Sequence, residues 1–172
     1  MLLGVNNDIS VRTFEERDVP KKVEWINNPD NNQHLHYDIP LSVNKTLEWF
    51  RSKDNSRRLD CTIECDGVPV GLIGLLAIDH THNKAEFYIS MGETAYKKRG
   101  IATRATRMVL DYAFQTLGLH KVYLNTDGEN AAAHGLFEKV GFVREGLFVD
   151  DMIHRGRYID RVRYAVVNKE NG

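Results

Sequence analysis

The chain has 172 residues, 42% of them hydrophobic and 27% charged, which suits one compact domain over residues 1 to 172 with a sizeable buried core. Its 23 basic and 24 acidic residues leave a formal charge of −1. That gives no field to hold the whole protein on nucleic acid or an anionic membrane, so neither is expected as a partner and any anion site is local. No apolar run approaches the roughly 20 residues that span a bilayer, and the start MLLGVNNDIS lacks the charged and then long apolar regions of a secretory signal, so a cytoplasmic location is expected.

In chain order, ISVRTF (9 to 14) alternates as a short strand. Asp18 is expected to cap a helix whose Val19, Val23 and Ile26 fall at i, i+4 and i+7. The polar stretch NNPDNNQHLHYDIPL reads as a loop, after which Ser42 opens a second helix with Val43, Leu47 and Phe50 on one face. LDCTIEC and VPVGLIGLLAID are strands joined by Asp66-Gly67, a strong hairpin signal. Cys61 and Cys65, four apart on one strand, stand about 13 Å from each other, beyond disulfide reach, and are expected as reduced, packed thiols.

KAEFYISM (84 to 91) follows as a strand with Ala85, Phe87, Ile89 and Met91 on one side and Glu86, Tyr88 and Ser90 on the other. A helix from Gly100 to Thr116 carries Ile101, Ala105, Met108 and Tyr112 as its core stripe, with Gly118 just past its end. KVYLNT (121 to 126) is a strand, residues 130 to 140 form a helix capped by Asn130 and closed by Gly141, and residues 142 to 167 form a hairpin turning near Gly156. The strand, helix, strand unit implies a parallel pair with a crossover. The expected fold is α/β (α+β), a mixed, mostly antiparallel sheet of about seven strands flanked by about four helices.

One stretch asks for a ligand. In AYKKRGIATRA the basic turn sits at a helix start, where unpaired N–H groups and the positive dipole end favour an anion. Gly100 and Ala102 let that backbone approach closely, and Lys97, Lys98, Arg99 and Arg104 add charge. The fit is to a phosphate, and a pyrophosphate would use several amides at once. Neither G-x-x-x-x-G-K-[ST] nor G-x-G-x-x-G is present, which removes the main support for nucleoside triphosphate hydrolysis and hydride transfer. His34 with His36 and His80 with His82 are each two apart, but no further cluster completes a ligand set. They read as surface loop histidines, and no metal is expected.

A second segment, NAAAHGLFEKVGF, comes one strand after the basic helix. Together the two resemble the acetyl-coenzyme A site of the GNAT superfamily of N-acetyltransferases, whose loop reads [QR]-x-x-G-x-[GA] and whose later helix reads N-x-x-[AS]-x-x-x-Y-x-K-x-G-F. Lys97, Gly100 and Ala102 match the first, and Asn130, Ala133, Phe137, Lys139, Gly141 and Phe142 the second. The resemblance runs from about residue 9 to 167. It is to the branch of ribosomal-protein N-terminal and spermidine/spermine acetyltransferases, which shares phrases similar to IECDGVPVGLIGL, AEFYIS, GIATRA and LGLHKVYLNTDGEN.

The resemblance implies acetyl-coenzyme A as cosubstrate, with its pyrophosphate on the amides of about residues 99 to 104 and its pantetheine arm in a splay between strands 84 to 91 and 121 to 126. The implied cofactor-binding residues are Met91, Lys97, Lys98, Arg99, Gly100, Ile101, Ala102, Thr103, Arg104, Asn125, Asn130, Ala133 and Phe137. Glu86, on the polar face beside the expected thioester, is the candidate base, acting through a water. An amide near Met91 to Glu93 is the oxyanion donor, where the resemblance implies a bulge.

Two departures stand out: Lys97 replaces Gln or Arg but keeps a cation, and Phe137 replaces the tyrosine that would protonate the leaving thiolate. WINNPDNNQHLHYDIPLSVNKTLEWF is similar to the acceptor region of amino-sugar acetyltransferases, so a small amine or amino sugar is favoured over a protein N-terminus. A polyamine ranks lower, because the early loop holds only Asp30 and Asp38 as acids. A non-catalytic acyl-coenzyme A sensor is the reading from a different class, and Phe137 speaks for it. A dimer is common in this branch.

Overall fold

The computed structural model describes residues 1–171, which fold around one eight-stranded sheet. Its strands are β1 (Leu2–Asn6), β2 (Ile9–Thr13), β3 (Leu59–Cys65), β4 (Val68–Asp79), β5 (Lys84–Met91), β6 (Lys121–Asp127), β7 (Val143–His154) and β8 (Arg157–Val167). The order across the sheet is β1-β2-β3-β4-β5-β6-β8-β7, antiparallel throughout except between β5 and β6. The strand added to the expected seven is β1. As an edge strand with most of its side chains exposed, it shows no period-two burial pattern in LLGVN.

Helices α1 (Val19–Asn27) and α2 (Val43–Ser52) cover one face of the sheet, and α3 (Ile101–Asp111) and α4 (Ala131–Val140) the other. Alternation along β5 assigns the faces: Ala85 and Phe87 join Ile101, Ala105, Val109 and Phe137 in one core, whereas Tyr88 packs with Phe14, Trp25, Ile26 and Leu72 in the other. Both cysteines are free and buried.

Ser42 and Asn130 cap their helices as expected, accepting from Lys45 N (3.1 Å) and Ala133 N (3.3 Å). Asp18 precedes α1 but makes no cap bond to it. Its buried carboxylate instead accepts two bonds from Arg12 (2.7 and 2.9 Å), one from Glu15 N (2.8 Å) and one from Thr62 (3.1 Å); a charge-assisted tertiary network outbids a local cap. The expected helix to Thr116 is continuous, but its last turn, Tyr112–Thr116, widens to π geometry with Leu117 N–H bonding to Tyr112 O.

Lys22 of α1 is 7% exposed, its ammonium 3.5 Å from the centroid of the Trp49 ring. Burial pushes its pKa down to about 8, against the pull of Asp60. Between about 8 and the ordinary lysine value of about 10.4, the unfolded chain binds a proton that the folded chain does not. Stability therefore rises with pH through that window, and the cost is fully present below it. Lys22→Met is expected to raise the unfolding free energy at pH 7 by about 1 to 3 kcal/mol and to flatten the rise above pH 8. Urea titrations across pH check this; a destabilised variant would mean that the contact with Trp49 outweighs the burial.

Candidate active site

The one parallel junction is short. β5 and β6 pair at Lys84 with Lys121, Ala85 with Val122 and Glu86 with Tyr123, and then part. β5 runs on to Met91 and β6 to Asp127, so the sheet opens as a V at the carboxyl ends of two parallel strands, the position where α/β sheets bind ligands. Backbone N–H groups alternate between the two edges of a strand. Gly92 N–H donates to Val70 O of β4 (2.8 Å), so the amides of Phe87, Ile89 and Met91 point the other way, into the V. Glu93 N–H also donates to Val70 O (3.3 Å). Of the three amides expected as oxyanion donors, the one directed into the opening is therefore that of Met91.

The same strand end leads to the basic turn. Lys98 and Gly100 have left-handed φ of 61° and 74°. Gly100 is the α3 N-cap without a side-chain bond, and the first helical bond runs from Arg104 N–H to Gly100 O (3.2 Å). The N–H groups of residues 101 to 103 are left without intrahelical partners. A Cβ at Gly100 would meet no protein atom within 4 Å, so the turn is open at that position.

Ile101 and Thr103 turn their side chains into the core, and Ala102 accepts from Thr106, so these three offer backbone. Lys98 and Arg99 are exposed, with the Arg99 guanidinium 5.1 Å from the Tyr96 ring centroid. Arg104 pairs with Asp8 (3.2 Å), and Lys97 donates to Asn31 Oδ1 (2.8 Å) instead of pointing at the helix start.

Inside the V, Phe137 is buried, edge-on to Phe87 (6.1 Å) and close to Phe142 (5.5 Å) and Tyr164 (6.2 Å). Because Phe87 directly follows the last paired residue of β5, this ring stands at the fork. Asn130 and Ala133 form the first turn of α4 above it. On the opposite face Glu86 lies beside Tyr123, whose phenol is pushed up first by burial and then by the Glu86 charge. Asn125, placed in the cofactor set by resemblance, lies on this face too, its side-chain oxygen accepting from Arg163 Nε (2.7 Å).

The loop between α1 and α2 crosses the mouth of the V. Asn31 Nδ2 donates to Gly92 O (3.0 Å) on the β5 side. On the β6 side His34 and His36 both pair with the buried Asp127 carboxylate, at 3.3 and 2.8 Å. Arg161 Nε is 3.2 Å from the same carboxylate but outside hydrogen-bond geometry, so that contact is electrostatic. His154 of β7 contributes a ring contact to His36 (4.5 Å between centroids) and a bond to Gln33 O (2.8 Å).

These histidines are thus a clasp and not free loop residues. The i, i+2 spacing was visible in the sequence, but their partner is more than 90 residues away and carried no local signal. A cavity of about 740 Å³ between this loop, α4 and the β7–β8 hairpin includes His34, His134 and Tyr164 in its lining. It lies beyond β6, away from Glu86 and Gly100. Among the described residues, the cluster with metal-ligand spacing is Asp8, Cys65 and Asp66, where Asp8 is already held by Arg104 and Cys65.

A split parallel pair, amides lining one arm and an uncapped helix start at the mouth form one open cleft in the sheet. The chain belongs to the acetyltransferase (GNAT) domain family, whose profile matches residues 8–143. It is 38% identical over 104 residues to spermidine N(1)-acetyltransferase of Escherichia coli (strain K12), an alignment spanning 60% of this chain and 55% of that enzyme. Against the Vibrio cholerae enzyme of the same name it is 37% identical over 101 residues, 59% of this chain and 58% of the relative. These sequence matches thus span just over half of the relatives' lengths.

The solved structure of spermidine N-acetyltransferase from Vibrio cholerae in complex with CoA and spermine superposes with a TM-score of 0.88 at 27% identity, over 96% of this chain and 99% of that one. A dodecameric form of the same enzyme gives 0.81 at 28% identity, over 94% and 95%.

Proposed function

We propose that this protein transfers the acetyl group of acetyl-coenzyme A to the primary amine of a small molecule or amino sugar, in the cytoplasm. The observation that carries the reading is the V between β5 and β6 with an uncapped α3 start at its mouth. The pyrophosphate would rest on the amides following Gly100, and the pantetheine arm would pair with the free β5 amides. The acceptor nitrogen would attack the thioester carbonyl from the α1/α2 face as Glu86, through a water, takes its proton. The Met91 amide would hold the oxyanion while the carbon–sulfur bond breaks.

A polyamine acceptor is the second reading, supported by the substrates in the names of the relatives. Self-association belongs to the proposal as well. The free edge strand β7 exposes Val143, Val149 and Ile153 at 67, 69 and 61%, and a dimer is the smallest form that would cover them.

Thiol release from acetyl-coenzyme A with a panel of amines, followed by mass spectrometry of the acceptors, tests the activity. Binding of acetyl-coenzyme A with no amine turned over would leave the sensor reading standing. Phe137→Tyr sharpens the test, because a thiol near pKa 8.5 leaves acceptably unaided at neutral pH and an added acid is worth at most about 10²-fold here. With the ring at the fork, turnover is expected to rise. Lost stability of about 1 to 3 kcal/mol without a kinetic gain would mean that the new hydroxyl has no partner in a dry wall.

A further inference from the structure

Most guanidinium groups and buried carboxylates on the acceptor face are spent on one another or on backbone and amide oxygens. Asp60 is held by Arg58 (2.8 Å), Lys53 (3.2 Å) and the Tyr88 hydroxyl (2.6 Å). Asp127 is held by two histidines and Arg161. Arg161 also donates to Asn125 O (2.9 Å), and Arg155 to Asn32 Oδ1 (2.9 Å).

Lys22, Lys84 and Glu86 have no ion-pair partner among the described residues either, but Arg163 is the guanidinium left over. Its guanidinium lies 4.5 Å from the Tyr123 ring centroid and 5.7 Å from that of Phe148, and its Nε is committed to Asn125. Among the described residues, its two terminal nitrogens have no hydrogen-bond acceptor and no carboxylate within 4.0 Å. Two rings and one hydrogen bond therefore fix a planar, half-buried cation whose fork of donors is unused, the geometry that grips carboxylate or phosphate in bidentate fashion. Leaving such a charge without a counter-ion costs stability, which sets it apart from an ordinary packed arginine.

We infer that Arg163 determines acceptor specificity by binding an oxyanion carried on the acceptor, a phosphate or carboxylate several ångströms from the reacting amine. The inference rests on the acetyltransferase reading and names the acceptor class for the same site. Arg163 is opposite Asn125 on β8, and Glu86 opposite Tyr123 on β5. The two backbones are thus two strand spacings apart, roughly 10 Å laterally, with side chains leaning over the β6 strand between them. An amino group at Glu86 and an oxyanion at Arg163 fit the two ends of one small acceptor. A polyamine would bring a second cation to the Arg163 fork, where like charges repel.

Initial rates with paired probes test this: glucosamine 6-phosphate against glucosamine, lysine against cadaverine, and spermidine. In at least one pair the member that carries an oxyanion is expected to have a kcat/KM about 10- to 10²-fold above the partner that lacks it, mostly through KM, and the advantage should shrink as salt is raised. The pair that responds identifies phosphate or carboxylate as the oxyanion. Arg163→Gln should bring the ratio close to one, and Arg163→Lys should restore part of it, a pattern that general loss of packing would not produce. Equal rates within both pairs, a ratio unchanged in Arg163→Gln, or spermidine as the best acceptor would overturn the inference while leaving the acetyltransferase reading intact. Silence of the wild-type protein toward every amine would remove that reading and this inference together.

Discussion

Replacing Glu86 by Gln is expected to lower kcat by about 10² or more and to steepen its rise with pH. An alkylamine near pKa 10.4 reaches the site almost wholly protonated at neutral pH, so without the carboxylate the proton must leave to water or hydroxide. Glu86 is half-buried beside Tyr123 at the end of the parallel pairing, so the substitution removes a charge without emptying the core. Rates measured from pH 6 to 10 with saturating acetyl-coenzyme A decide the matter. A profile parallel to that of the wild type would return Glu86 to the role of a strand residue facing water.

Gly100→Val is the second large effect, acting on the other substrate. The position has a φ of 74°, where a β-branched residue is strained, and a Cβ there would meet no protein atom within 4 Å, so any further loss is to the ligand proposed to bind there. Affinity for acetyl-coenzyme A is expected to fall by about 10²-fold, from losing two or more charge-assisted bonds of about 1.5 kcal/mol each. Calorimetric titration of the folded variant reads it directly. Gly100→Ala separates the two causes, since it keeps most of the strain but intrudes less on the ligand. Unchanged affinity in a folded Val variant would remove the phosphate-loop assignment.

The architecture was legible where periodicity was strong and local. The alternation in KAEFYISM placed Phe87 and Tyr88 on opposite faces, and both cores follow from it. The caps at Ser42 and Asn130 and the left-handed Gly141 needed only neighbouring residues. What escaped depends on distant partners. Asp18 has the chemistry of a cap but finds Arg12 and Thr62. β1 forms because β2 offers it an edge, not because LLGVN alternates.

In the site, the glycine and the apolar helix start at residues 100 and 101 announced themselves. The clasp of His34 and His36 on Asp127 and the pairing of Lys97 with Asn31 are properties of the assembled sheet. The unspent fork of Arg163 was equally invisible, because a strand arginine is ordinarily a solvated one.

The loop tethered at Gly92 on one arm of the V and at Asp127 on the other has a kinetic corollary. It joins the two helices of the α1/α2 face and is bonded through Asn31 to Lys97 of the turn before α3, whereas the α3 core lies on the opposite face of the sheet. Each reactant of the proposed reaction then approaches from its own face of the sheet. For the proposed reaction this predicts a ternary-complex scheme without compulsory order of addition. Double-reciprocal plots should intersect left of the axis, and a dead-end analogue of the amine should be noncompetitive toward acetyl-coenzyme A, where a compulsory order with acetyl-coenzyme A first would make it uncompetitive. Loosening the tether, for instance with His36→Ala, should accelerate acceptor release while leaving the dissociation constant of acetyl-coenzyme A where it was.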